Sequence, residues 1–240
     1  MNNPLDDYVE AYTRKSVYDF DNEIILNWYP KKILKYCKSR KSLLELGLGH
    51  GCTADILGFN FEKYLIIEGS KNIINNFRKL YPNSKVEIYE SLFEKFDTAF
   101  KFDVILIGFV LEHVNDPNFI LKHYKKFLSD NGKIFITVPN AESMNRRLGY
   151  YAGLLEDMHK LSDNDYKQGH KRYYSVETIK KEVVNAGYKI DRIEGLFLKP
   201  FTTNQLLSLK LDPRIIESLC LLGTNYPELS LGILLEVSKA

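Results

Sequence analysis

The sequence predicts a doubly wound α/β domain, and three observations carry that prediction. Short apolar runs alternate with segments of helical spacing through residues 42–201. The runs are hydrophobic almost without interruption, as parallel strands covered on both faces must be. No repeat, low-complexity tract or Pro/Ser-rich linker interrupts the 240 residues, a length that suits one large domain with a well-covered core. Repeated strand–helix–strand units then build a sheet with helices on both faces.

In chain order, residues 5–38 read as helices carrying Tyr8, Tyr12, Tyr18, Trp28 and Tyr29, so that 1–40 forms an N-terminal helical lid. Five strands follow: "SLLELGLG" (42–49), "YLIIEG" (64–69), "VEIYES" (86–91), "FDVILIGFV" (102–110) and "GKIFITVP" (132–139). In "NDPNFILKHYKKFL", Ile120, Leu121, Tyr124, Phe127 and Leu128 share one face. Asp116 is placed to cap that helix and Pro117 to occupy its first position. In "SVETIKKEVVNAG", Ser175 caps, Val176, Ile179, Val183 and Val184 form the stripe, and Gly187 stops the helix. Residues 188–199 and 229–239 read as two late strands with helical residues 203–223 between them. The single domain, 1–240, thus divides into the lid, a core at 41–140, an insertion at 141–174 and a C-terminal part of the sheet at 175–240. The insertion is polar, aromatic and rich in His, Arg and Tyr, and long ordered insertions are usually functional.

Composition narrows the partners. Lys+Arg at 33 against Asp+Glu at 31 leaves a net charge of +2, which gives no electrostatic case for nucleic acid or an anionic membrane. Lys31-Lys32, Lys125-Lys126 and Lys180-Lys181 read as solvated helix faces. Cys37, Cys52 and Cys220 are odd in number, far apart and outside any metal-ligand spacing. They read as reduced thiols of a cytoplasmic protein, with Cys52 buried under a helix, and no metal site is expected. The N-terminus lacks a basic-then-apolar signal pattern, and no apolar run reaches the roughly 18 residues of a membrane span. A small-molecule substrate is the expected partner, and a homodimer stays open.

The strand "SLLELGLG" leads into Gly47-x-Gly49-x-Gly51, one residue tighter than the Gly-x-Gly-x-x-Gly turn of a dinucleotide site. Glu45 stands just before it, a poor neighbour for a pyrophosphate and a good one for an ammonium. No Gly-Lys-Ser/Thr follows, so a phosphate-binding P-loop is excluded. Glu68 closes the next strand, where a carboxylate can accept both hydroxyls of a ribose; taken alone it could equally be a strand-end surface acid.

Glu45–Gly51, Glu68, "YESLF" (89–93) and "FDVILIGFVLEHVNDP" (102–117), in this order at the ends of successive strands, resemble the class I S-adenosylmethionine-dependent methyltransferases over about residues 40 to 200. The resemblance implies a Rossmann-like, seven-stranded, mostly parallel sheet with an antiparallel last strand, and S-adenosyl-L-methionine as cofactor. It implies that Gly47, Leu48 and Gly49 line the methionyl part, that Glu45 helps its ammonium, and that Glu68, with Gly69 and Ser70, binds the ribose. Ser91, Leu92 and Phe93 would contact adenine; Glu90-Ser91 stands where many members place an Asp. Gly108 and Phe109 would face the transferring methyl. His113, in "VLEHVNDP", reads either as a proton acceptor or as a residue packed on the cofactor side.

The acceptor site falls to the lid, the insertion and the tail. The segments "PNA…S…R" and "GH-R-YS", with "EGLFLKPF" (194–201), resemble the branch associated with bacterial surface-carbohydrate biosynthesis (capsule and O-antigen). Asn140, Arg146, Arg147, His170, Arg172, Tyr173 and Lys199 gather donors and cations suited to a phosphorylated or nucleotide-linked acceptor. Arg146 and Arg147 read equally as surface charges, and His170 either as a structural residue or as the base. The expected activity is O-methylation of an activated sugar or related precursor, with N-methylation of an amino sugar beside it. The tight glycine spacing and the lack of a Tyr-x-x-x-Lys pair disfavour an NAD-dependent dehydrogenase or epimerase, and the intact Glu45, Gly47, Gly49 and Glu68 argue against a non-catalytic cofactor-binding protein with a decayed pocket.

Overall fold

The computed structural model describes residues 19–240; Tyr8, Tyr12 and Tyr18 and the first part of the expected lid lie outside them. Helix α1 (Asp19–Tyr36) precedes strand β1 (Ser42–Leu46), followed by α2 (Cys52–Leu57), β2 (Lys63–Glu68), α3 (Lys71–Leu80), β3 (Glu87–Glu90) and β4 (Phe102–Gly108). Then come α4 (Pro117–Lys125), β5 (Leu128–Pro139), α5 (Met144–Tyr151), α6 (Asp163–Lys167), α7 (Val176–Asn185), β6 (Tyr188–Leu196), α8 (Thr203–Ser208), α9 (Pro213–Gly223) and β7 (Gly232–Lys239). The seven strands lie in the order β3-β2-β1-β4-β5-β7-β6. Strands β1 to β5 pair in parallel, and β7 runs antiparallel to both β5 and β6.

Strand pleating explains why the apolar runs show no alternation. Leu44, Leu46, Ile105, Ile107, Ile134 and Ile136 enter one core beneath α4 and α7. Their chain neighbours Leu43, Val104, Leu106 and Phe135 enter the other, with α1, α2 and α3. Successive residues point to opposite faces, and both faces are roofed, so apolar residues fill most positions without alternation. The chain reverses direction of growth at β1, which has β2 on one side and β4 on the other. Ligands of such sheets bind beyond the carboxyl ends of the strands at this switch point.

The expected caps form. Asp116 accepts from Phe119 N at 2.9 Å with Pro117 at the helix start, and Ser175 accepts from Thr178 N at 3.3 Å. Gly187 stops α7 with φ 84°. Four expectations need correction. Helix α4 ends at Lys125, so Phe127 and Leu128 are buried beyond it; Leu128 already begins β5, four residues earlier than the apolar run 132–139 suggested. Val184 is exposed (56 %) because it lies one residue, about 100° of helix, off the Ile179–Val183 stripe. Cys52 is only half-buried, as the first residue of its helix; Thr53, Ala54 and Leu57 do the packing. Strand β7 starts at Gly232, since residues 229–231 are used in the turn before it.

Helix α1 docks through charge as well as apolar surface. A fifth correction is Lys32: expected on a solvated helix face, it is 8 % exposed and donates to Glu194 of β6 at 2.7 Å, and Tyr36 OH donates to the same carboxylate at 2.6 Å. Among the described residues, no helix is long and apolar enough to cross a membrane.

Candidate active site

Beyond Leu46 the chain turns through Gly47 (φ 78°), Gly49 (φ 49°) and Gly51 (φ 76°), all in the left-handed region that favours glycine. At Gly51 a Cβ would also stand 2.6 Å from the Phe77 ring and 2.9 Å from Tyr81. The turn is therefore held tightly against α3. At Gly47 space is ordinary, with Val110 at 3.6 Å and Phe93 at 3.7 Å, so conformation alone demands the glycine.

Glu68, 6 % exposed, ties this loop to the end of β2. Its Oε2 accepts from Leu48 N at 3.0 Å and its Oε1 from Ser70 N at 2.8 Å. Burial raises its pKa, and the N–H groups of Leu48, Ser70 and Gly69 oppose that rise. Each carboxylate oxygen has lone pairs beyond the one these donors use, so two ribose hydroxyls fit the same group. Ser70 is buried and caps α3, accepting from Ile73 N at 3.2 Å. Ser91 N donates to the Glu68 carbonyl at 3.0 Å, which places Ser91, exposed Leu92 and half-buried Phe93 next to the β2 end. No phosphate-binding lysine accompanies the glycines, and an acidic residue anchors them; the chemistry fits the nucleoside and amino-acid parts of S-adenosylmethionine.

Glu45 sits differently from a simple ammonium partner. It is 4 % exposed and hydrogen-bonded to the Tyr64 hydroxyl, and burial pushes its pKa up to about 8 against the lowering effect of that bond. A carboxyl raised above its unfolded value favours the folded state while protonated, so its contribution is present below the ordinary carboxylate range and is lost as pH rises towards 8. The slope is about 1.4 kcal/mol per pH unit for one proton. Glu45→Gln, which keeps an acceptor for Tyr64, should flatten the fall in Tm between pH 5 and pH 8. Parallel wild-type and variant curves by circular dichroism would remove Glu45 as the source.

At the tip of β4, Phe109 adopts φ 54°, a conformation costly for a side chain of this size and most often kept at functional sites. Its amide is fixed on the Thr137 carbonyl at 2.9 Å. Tyr29 from α1 closes over this tip: a Cβ on Gly108 would lie 2.9 Å from its hydroxyl, and its ring meets Phe109 edge-on at 5.9 Å. Tyr29 OH pairs with Thr53 Oγ1 at 2.8 Å. The sequence showed Tyr29 only as one aromatic of an N-terminal helix; its place over β4 depends on a long-range contact that no local pattern encodes.

His113 and His170, remote in sequence, meet edge to face with ring centroids 4.7 Å apart. Burial, and then the neighbouring His170, push the His113 pKa down to about 3. Glu112 beside them is pushed up to about 7 by burial, against the pull of His170 and Arg172. Asp165 backs His170: Nδ1 lies 3.2 Å from Oδ1, and the His170 amide donates to the Asp165 carbonyl at 2.9 Å. Burial would raise the Asp165 carboxyl, but the adjacent His170 ring and the bonds from Ser162 and Tyr173 outweigh it and hold it below the usual range.

The groups expected to hold an anionic acceptor are committed within the chain. Arg172 donates to the carbonyls of Leu111 (2.8 Å), Val114 (2.6 Å) and Asn115 (3.1 Å), and so assembles the histidine pair. Arg146 binds the carbonyls of Ala141, Met158 and Lys160 and stacks 4.6 Å over Tyr173, whose hydroxyl donates to Asp165 at 2.8 Å. Arg147 pairs with Glu142 at 2.6 Å. The Asn140 amide donates to Pro227, Glu228 and Ser230 carbonyls, pinning β5 to the turn before β7. Lys199 is buried on Asp21 at 2.5 Å and Thr203 at 2.7 Å. These bonds leave a phosphate clamp without support from the geometry.

A glycine turn anchored by a β2 carboxylate, at the switch point of this seven-stranded sheet, defines the Rossmann-like methyltransferase class. Residues 25–193 match the family model described as a methyltransferase domain, and the chain belongs to that family. It is similar to the ubiquinone biosynthesis O-methyltransferase of Pelagibacter ubique (strain HTCC1062), at 30 % identity over 136 residues, 52 % of this chain and 56 % of that protein. The chain thus spans about half the length of this curated relative. Among solved structures it shares the fold of the N-methyltransferase NodS from Bradyrhizobium japonicum WM9 in complex with S-adenosyl-L-homocysteine, with TM-score 0.64, 11 % identity and 99 % coverage of each chain. An S-adenosylmethionine-dependent methyltransferase from Mesorhizobium loti aligns with TM-score 0.60 and 15 % identity, covering 86 % of this chain and 95 % of the other. The family is one of methyltransferase enzymes, and the Mesorhizobium loti protein depends on S-adenosylmethionine while NodS holds its product S-adenosyl-L-homocysteine.

Proposed function

We propose that this chain transfers the methyl group of S-adenosylmethionine to a hydroxyl oxygen of a small-molecule acceptor. The observation that carries the reading is Glu68, a buried carboxylate that holds the glycine loop through Leu48 N and keeps lone pairs for a ribose. Gly47, Leu48 and Gly49 take the amino-acid end, with Glu45 buried behind them on Tyr64; Glu68, Gly69 and Ser70 take the ribose, and Ser91, Leu92 and Phe93 the adenine. When bound, the cofactor supplies an electrophilic methyl on a sulfonium with a neutral thioether leaving group. The chain supplies alignment, worth roughly 7–11 kcal/mol of a barrier when geometry is well set. Gly108 and Phe109 shape the methyl end, with Tyr29 over them.

An oxygen acceptor must lose a proton, and the paired His113 and His170 favour oxygen over an amine, which attacks without one. Removing such a group costs about 10²–10⁴-fold. For the acceptor we retain the carbohydrate-precursor reading supported by the "PNA…S…R" and "GH-R-YS" segments. The committed arginines and Lys199 favour recognition by neutral hydrogen bonds over a phosphate clamp. A phenolic acceptor is the second reading, favoured by the exposed Tyr150, Tyr151 and Leu154 of the insertion.

Radiolabelled methyl transfer to free sugars, nucleotide sugars and dihydroxybenzoates tests the proposal. A sugar hydroxyl should be labelled, and His170→Ala should cut kcat about 10²–10⁴-fold with S-adenosylhomocysteine affinity unchanged. Labelling of amines alone, or normal turnover by His170→Ala, would contradict it.

A further inference from the structure

Glu112 is 1 % exposed, and its Oε2 has no hydrogen-bond partner. Burying a carboxylate oxygen unpaired is costly, and in a native fold such an oxygen calls for an ion, a water or a proton. Two further donors stand beside it. One ligand-bearing atom from each of Glu112, His113 and His170 lies within 4.8 Å of the other two. Donors at that spacing need to draw in by roughly an ångström or less to reach metal–nitrogen and metal–oxygen distances of roughly 2.0–2.2 Å.

The cluster is built from two segments that the backbone locks together. Lys171 N donates to the Glu112 carbonyl at 2.8 Å, Lys171 Nζ reaches Asn115 Oδ1 at 2.5 Å, and Arg172 bonds the carbonyls of Leu111 and Val114. The imidazoles are also braced from behind. With Nδ1 of His170 facing Asp165, its Nε2 is left for the cluster; that contact is at ion-pair distance without the alignment of a hydrogen bond. Asp165 is itself fixed by Ser162 N at 2.7 Å and Tyr173 OH at 2.8 Å. The backbone of Gly169 and Gln168 lies beside the His113 ring. A carboxylate or carbonyl behind each ring is how proteins orient histidines toward a metal.

We propose that Glu112, His113 and His170 form a divalent-cation site. Two imidazoles and one carboxylate suit a first-row transition ion such as Zn2+, Mn2+ or Co2+ rather than Mg2+ or Ca2+, which take oxygen ligands. Three protein ligands leave coordination positions open, where an acceptor hydroxyl can bind. With the cation present the imidazoles serve as its ligands, and the ion in place of His170 eases loss of the hydroxyl proton. This use of the site rests on the methyl-transfer reading; the cation site itself does not. The sequence hid it because Glu112 and His113 lead into one helix while His170 ends a distant insertion.

The test uses the full chain, stripped with a chelator and titrated with Co2+. One equivalent should bind and give a visible ligand-field band. His170→Ala and Glu112→Gln should each lose at least a hundredfold in Co2+ affinity. Asp165→Asn, which keeps the helix cap, should lose about 10–100-fold. His159→Ala, a surface histidine on Glu142, should bind as wild type. Calorimetry with S-adenosylhomocysteine on every variant reports whether the domain is folded. No Co2+ binding by a wild-type chain that binds S-adenosylhomocysteine would overturn the cation site alone, as would wild-type Co2+ affinity in His170→Ala. Co2+ binding without S-adenosylhomocysteine binding would leave the cation site standing and sink the methyl-transfer reading.

Discussion

Glu68→Ala should lower the affinity for S-adenosylhomocysteine at least a hundredfold, about 2.8 kcal/mol, in a chain that still folds. The carboxylate acts twice in the proposed site. It accepts from Leu48 N and Ser70 N, so its loss frees the glycine loop from the end of β2. It also removes the acceptor for the ribose hydroxyls, and a hydrogen bond to a charged group contributes about 1.5–3 kcal/mol. Glu68→Gln, which keeps one carbonyl oxygen, should fall between wild type and Ala. A folded Glu68→Ala with wild-type affinity by calorimetry would take Glu68 out of the site.

Lys199→Ala should destabilise the chain by about 3–5 kcal/mol, because it strands a buried carboxylate. Asp21 accepts from Lys199 and from Thr203 on Oδ2, while its Oδ1 already lacks a partner. For a domain of this size such a loss lowers Tm by roughly 10 °C. Lys199→Met combined with Asp21→Asn removes both charges and should recover much of the stability. The sequence placed Lys199 at the acceptor site, and the two roles separate cleanly. A substrate lysine would raise KM with Tm unchanged; a buried ion pair lowers Tm.

What was legible in the sequence was local. The runs at 42–49 and 102–110 announced β1 and β4 because the apolar residues of both strands face one of two roofed cores, and Asp116 and Ser175 announced helix starts through their own backbone bonds. The glycine turn was legible because glycines at 47, 49 and 51 supply left-handed positions that other residues seldom take. The ion pairs Lys32–Glu194 and Lys199–Asp21 were not, since a lysine shows what it can donate and not to whom. Arg172 looked like a phosphate ligand and proved to tie the insertion to the loop after β4. Glu112 was passed over beside His113 because "VLEHVNDP" reads as the approach to a helix; only the fold brings His170 to it.

Calorimetric titration of the full chain with S-adenosylhomocysteine, with NAD as the competitor, tests the central assignment most directly. One equivalent of S-adenosylhomocysteine should bind, NAD should not, and Gly49→Val, whose branched side chain cannot take the left-handed turn (φ 49°), should abolish binding. Binding of NAD in place of S-adenosylhomocysteine, or a folded Gly49→Val that binds as wild type, would contradict it.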